Sequence, residues 1–124
     1  SPKGEQKTQS TPENPDVPEE AMNSLKAQIT KISQCMSLGM YKDAQNLLEV
    51  YKKDLSKYFK EDHPAYCSYE NNQGVLMRLN GRFEEAYDIL AAVYNKYCRL
   101  FGKTHSSTIS ACLNLATVLR DLKD

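Results

Sequence analysis

The stretch Gly39–His63 returns 42 positions later as Gly81–His105, and this recurrence limits what the chain can fold into more than any other feature. Gly39, Ala44, Leu48, Phe59 and His63 recur as Gly81, Ala86, Leu90, Phe101 and His105. Between them Tyr41 becomes Phe83, Leu47 becomes Ile89, Tyr51 becomes Val93, Leu55 becomes Tyr97 and Tyr58 becomes Leu100. Size and polarity persist where identity does not. Internal repetition with a period of about 20 to 50 residues marks a chain built from stacked copies of one unit.

The spacing of apolar residues says what the unit is. Ala44, Leu47, Leu48, Tyr51, Leu55, Tyr58 and Phe59 stand at intervals of 3, 1, 3, 4, 3 and 1, and Ala86 to Phe101 repeat those intervals. Such steps place one stripe on an α-helix and cannot line one face of a strand. They predict helix 2 from Tyr41 to Phe59 and helix 4 closing at Phe101. Helix 1 is expected from Glu19 to Leu38, with acidic residues in its first turn and Met22, Leu25, Ile29, Ile32, Cys35 and Met36 as its stripe. Gly39 ends it at a position where positive φ costs glycine little. Helix 3 is expected from His63 and Pro64 to Leu79, capped by Asp62, and helix 5 from His105 onward, capped by Thr104. Turns of two to five residues make consecutive helices antiparallel neighbours, so the fold class is all-α, a stack of helical hairpins.

Composition narrows function. Sixteen basic residues balance sixteen acidic ones, so no overall positive field draws the chain to nucleic acid or an anionic membrane. No run of 18 apolar residues and no secretory signal is present, which predicts a soluble, cytoplasmic protein. Cys35, Cys67, Cys98 and Cys112 never approach a C-x-x-C spacing, so they read as buried reduced thiols with no metal and no cofactor. Residues 1–18 hold four of the five prolines and one larger apolar side chain, Val17, which predicts a disordered tail. Within that tail Thr11-Pro12 has the form of a phosphorylation site, and a simple solvated tail is the alternative.

Gly74-x-x-Met77-x-x-x-Gly81-x-Phe83-x-x-Ala86 and Gly39-x-Tyr41-x-x-Ala44 resemble the tetratricopeptide repeat, with Ile32 standing where the first unit would carry a small residue. The period of 42 is similar to that of kinesin light chain repeats. Phe101-Gly102-Lys103-Thr104-His105, Leu113-Asn114-Leu115-Ala116, Glu61-Asp62-His63-Pro64 and Asn71-Asn72-Gln73-Gly74 resemble motifs of that type. A more distant resemblance is to the C-terminal helical domain of SET and MYND lysine methyltransferases. The resemblance implies a right-handed superhelical stack of about two and a half repeats in five helices. Repeat 1 would span about 19–60, repeat 2 about 62–102, and the first helix of repeat 3 about 105–123.

It also implies where a ligand would sit. The first helix of each pair lines a concave groove, which places Ile29, Thr30 and Ser33 in helix 1 on that surface. In helices 3 and 5 it places Asn71, Asn72, Val75, Arg78, Leu79, Leu113, Asn114, Thr117, Arg120 and Asp121 there. Asn72 with Asn114, and Arg78 with Arg120, form ladders at the repeat spacing. Amides suit the unpaired backbone of an extended peptide and guanidinium groups suit its carboxylates, so the expected partner is a protein or peptide with acidic residues. Solvated arginines and helix-stabilising asparagines are the alternative. Ile29 and Ser33 stand where relatives that clamp heat-shock protein tails carry lysine and asparagine, which disfavours that ligand.

Helix 5 presents Cys112, Leu115, Val118, Leu119 and Leu122 with no sixth helix to cover them, so this face is expected to meet a further repeat, a second copy or a partner. No nucleophile with a base in reach can be argued, and no phosphate-binding loop is present. The sequence thus reads as a non-enzymatic adaptor. The competing class is a structural or oligomerisation domain dimerising through helix 5, or an accessory domain of a larger protein, for example such a methyltransferase.

Overall fold

The computed structural model describes residues 16–124, which are 79% helical and hold five α-helices and no strand. These are α1 (Glu19–Ser37), α2 (Tyr41–Ser56), α3 (Tyr66–Leu79), α4 (Phe83–Phe101) and α5 (Ser106–Lys123). Thr11-Pro12 and most of the expected tail lie outside the described residues. Val17, assigned to that tail, is instead half-buried against the core. Its isopropyl group finds apolar cover beside α1, which a solvated tail would not give it.

Each helix packs on the next, and α3 touches both α1 and α5. The turns out of α1 and α3 are built alike. Met40 N–H donates to Cys35 O at 2.8 Å and Arg82 N–H donates to Met77 O at 2.9 Å. Between these ends Gly39 (φ 77°) and Gly81 (φ 80°) take the left-handed conformation that lets the chain reverse within three residues.

The starts of α3 and α5 differ from expectation. Neither Asp62 nor Thr104 caps, because each helix opens further along, at Tyr66 and Ser106. The histidines serve the turn instead: His63 Nδ1 accepts from Ala65 N–H at 2.9 Å and His105 Nδ1 from Ser107 N–H at 3.1 Å. Each imidazole lies against the phenylalanine four residues earlier, with centroids 4.5 Å apart at Phe59 and 4.6 Å at Phe101. Helix α2 stops at Ser56, short of the expected Phe59. Hydrogen-bonded turns then carry the chain on, with Phe59 N–H donating to Leu55 O at 2.9 Å.

The apolar stripes meet in two clusters. Leu25, Ile32 and Cys35 of α1 pack with Ala44, Leu48, Tyr51 and Leu55 of α2, while Ala86 and Leu90 of α4 pack with Val118 of α5. A polar pair joins the helices of each hairpin at the same register. Gln28 Nε2 donates to Asp54 Oδ2 at 2.9 Å, and 42 residues on Lys96 Nζ donates to Glu70 Oε1 at 2.8 Å. The amide of Gln28, with Lys57 beside it, holds the Asp54 carboxyl below its usual range.

Ile32 occupies the place of Gly74 and is fully buried, so the first hairpin accommodates a large side chain where the second admits none. A Cβ added at Gly74 would stand 2.6 Å from both Cγ and Cδ2 of Leu90, which is itself fully buried. Gly74→Ala gains about 1 kcal/mol of helix propensity and meets an overpacking cost of about 1–3 kcal/mol. We expect a net loss of stability and a lower melting midpoint by calorimetry; an unchanged or higher midpoint would show that Leu90 is free to move aside.

Candidate functional site

The surface formed by α1, α3 and α5 carries the residues expected to line a groove. Val75 and Arg78 of α3 and Asn114 and Thr117 of α5 surround a hollow of about 170 Å³. Asn71 supports it, because its Oδ1 accepts from Asn114 Nδ2 at 3.2 Å. Thr117 Oγ1 donates back to Leu113 O at 2.9 Å, while Leu113 (63% exposed) and Arg120 stand out from α5.

Residues of the two ladders also meet neighbours within the chain. Asn72 Nδ2 turns to its own helix and donates to Ser68 O at 2.8 Å. Arg78 pairs with Asp121, its Nε 2.9 Å from Oδ2 with the N–H not aligned on the oxygen. The joined residues are 71 with 114 and 78 with 121. Equivalent residues on neighbouring parallel helices point the same way and lie side by side.

The oligomer face also divides. Val118 is fully buried and Leu115 packs beside it against α4, so both are covered. Cys112, Leu119 and Leu122 remain exposed, joined by Ile109, Leu113 and Ala116. At 100° per residue, positions 111, 115 and 118 share one side of α5 while 109, 112, 116 and 119 share another.

A second, larger hollow lies between α1 and α3. It measures about 360 Å³ and is lined by Met22, Leu25, Lys26 and Ile29 of α1, by Tyr51, Leu55 and Phe59 beneath, and by Ala65 and Ser68. Its two hydroxyls satisfy each other: Tyr51 OH and Ser68 Oγ lie 2.6 Å apart, and Ser68 Oγ donates to Ala65 O at 3.2 Å. The wall left to a ligand is therefore apolar, with the exposed Lys26 at the rim. No carboxylate among the described residues pairs with Lys26. Sequence reasoning marked only Ile29 for this surface. Met22 and Leu25 read as packing residues, and the positions 42 later, Pro64, Cys67, Ser68 and Asn71, carry no matching apolar set.

The histidines are engaged in their turns, and among the described residues no three His, Cys, Asp or Glu side chains gather to hold a metal. Cys35 and Cys67 are buried, whereas Cys112 is exposed and Cys98 half-buried, so the expectation of buried thiols holds only for the first two. Burial pushes the Cys67 thiol up. Among the described residues no helix is long and apolar enough to cross a membrane.

Beneath the larger hollow, burial pushes the Tyr51 hydroxyl above its ordinary value, with the Ser68 bond opposing. Tyr97 is pushed up to about 12, first by burial and then by Cys67, Tyr51 and Glu70. An unfolded phenol ionises near 10, so the fold favours neutral Tyr97. That contribution is complete below pH of about 10 and is lost as pH rises toward 12. Ultraviolet difference titration should show a tyrosine that ionises only as the helical signal falls, and Tyr97→Phe should flatten the loss of stability in that window. A Tyr97 that ionises near 10 in the folded protein would contradict this reading. Compared with models of protein families, with curated proteins and with solved structures, the chain finds no match.

Proposed function

We propose that this chain is a non-enzymatic interaction module that holds a peptide along the surface of α1, α3 and α5. The observation that carries this reading is the pair of hollows on that surface, one apolar and one polar. Both lie where first-arm helices adjoin, and neither is filled by the chain's own side chains. Resemblance to tetratricopeptide repeats of the kinesin light chain type supports the same surface, and with it a right-handed superhelical stacking of the hairpins.

The peptide is proposed to set one bulky apolar side chain into the hollow at Met22 and Ile29. An acidic neighbour would then reach Lys26. Burying such a side chain is worth about 1.5–3 kcal/mol, enough to anchor an otherwise extended segment whose backbone N–H groups meet the side-chain oxygens of Asn72 and Asn114, the Nδ2 groups being engaged with Ser68 and Asn71. Arg78 already meets Asp121, so the acidic preference rests on Lys26 and Arg120 and not on an arginine ladder.

Peptide display on the immobilised chain tests this. Selected peptides should share a bulky apolar residue next to an acid. Ile29→Glu should weaken them by about tenfold or more, the equivalent of about 1.4 kcal/mol. Because Ile29 is half-buried, its variant is checked for a cooperative melt, and Lys26→Glu, at an exposed position, provides a second arm. Peptides that bind both variants as well as the parent chain would overturn the proposal.

A further inference from the structure

Asn80-Gly81 is the single Asn-Gly step in the sequence, and it lies at the hinge of the second hairpin. An asparagine side chain ahead of glycine can be attacked by the next peptide nitrogen, because glycine has no Cβ to block the approach. The Gly81 nitrogen bonds to Asn80 Cγ, the bond from Cγ to Nδ2 breaks, and ammonia leaves with the peptide proton. Water then opens the succinimide ring. Addition at Cγ gives aspartate; addition at the backbone carbonyl gives isoaspartate, whose main chain runs through the side chain and is longer by one carbon.

The turn holds this reaction off. Asn80 is exposed to water, but its ψ of 5° sets the Gly81 nitrogen beside the backbone nitrogen of Asn80 and away from its side chain. The proton that must leave is engaged as well. Gly81 N–H donates to Arg78 O at 2.9 Å, and Arg82 N–H donates to Met77 O at 2.9 Å. These are the two bonds of a Schellman closure, with Gly81 left-handed at φ 80°. Attack therefore waits for the end of α3 to open, and the packing of Leu90 against Gly74 across the hairpin keeps that opening rare.

The same closure ends α1. Gly39 N–H donates to Met36 O at 3.2 Å and Met40 N–H to Cys35 O at 2.8 Å, but the residue before Gly39 is Leu38, which has no side-chain amide. The two turns share one geometry, and the second alone carries the reactive pair.

We infer that Asn80 is a site of self-modification that the folded turn suppresses, and that its conversion to isoaspartate unfastens the α3–α4 hairpin. An extra backbone carbon ahead of the Gly81 nitrogen displaces both donors, so Gly81 and Arg82 cannot keep their two acceptors together. The effect reaches the polar hollow, because Arg78 supplies one of those acceptors from its backbone and part of the hollow's lining from its side chain. Opening at this hinge is thereby converted into a lasting covalent change.

The test ages the whole chain in mildly alkaline buffer, once folded and once in urea, and follows Asn80 by peptide mapping with mass spectrometry. Conversion in the folded chain should be slower by about tenfold or more, because only the opened turn reacts. Asn80→Ser, aged alongside, accounts for changes at other asparagines. The isoaspartyl chain, separated by ion exchange after the urea is removed, should melt at a lower midpoint than the parent. Fresh Asn80→Asp, which adds the charge without the extra carbon, should melt close to the parent. The inference is overturned if folded and unfolded chains convert equally fast, or if the isoaspartyl chain melts with the parent. It is overturned equally if Asn80→Asp melts as low as the isoaspartyl chain, which would assign the effect to a negative charge at the end of α3.

Discussion

Everything in this molecule depends on the burial of one aliphatic side chain from each second-arm helix, Leu48 and Leu90, against the helix before it. A helix of 14 to 19 residues is marginal by itself in water, and these helices gain their stability from the face they cover. The turns at Gly39 and Gly81 bring that face round, and the pairs Gln28–Asp54 and Glu70–Lys96 fix how far each helix slides along its neighbour. The same constraint explains α5, which has a covered side at Val118 and an uncovered one at Ile109 and Ala116.

Much of this was legible in the sequence because helix packing is a matter of period and size. The recurrence of Ala44, Leu48 and Phe59 located two helices, and their equivalents in the second copy took matching positions; Ala44, Ala86, Leu48 and Leu90 are all fully buried. Capping was less legible, since Asp62 and Thr104 are ordinary capping residues by type. Whether they act depends on the next two residues entering the helix, and here the chain turns first, so that the imidazoles take the N–H groups. The partners of the ladder residues within the chain were not legible either. Equal spacing in sequence shows which residues are equivalent, and not that Asn72 meets Ser68 or that Arg78 meets Asp121.

The larger hollow was invisible to that reasoning because it belongs to one repeat only. Met22, Leu25 and Ile29 form an ordinary core stripe in one dimension. They become a lined cavity because Ala65 and Ser68 are small enough to leave space above Tyr51 and Leu55. At the α3–α5 seam the same surface is polar, with Arg78 tied to Asp121 and Asn71 to Asn114. Two copies of one unit have thus diverged where a ligand would be read and stayed alike where helices must pack. Ile32 and Gly74 are the exception, a packing position that differs between the copies although Leu48 and Leu90 are buried alike.

The polar pairs across the two seams differ in one further respect, the arm that carries the carboxylate. In the first the carboxylate sits on the second arm, as Asp54; in the second it sits on the first arm, as Glu70. A chain of near-identical units risks closing the wrong pair during folding, with α2 sliding onto α3 in place of α4. That mistake would set Asp54 opposite Glu70, two carboxylates in one seam with Lys96 no longer there to meet Glu70. Placing the carboxylate on opposite arms of the two units therefore works against α2 taking the place of α4 on α3, so that two copies similar enough to share a geometry remain distinct at that seam.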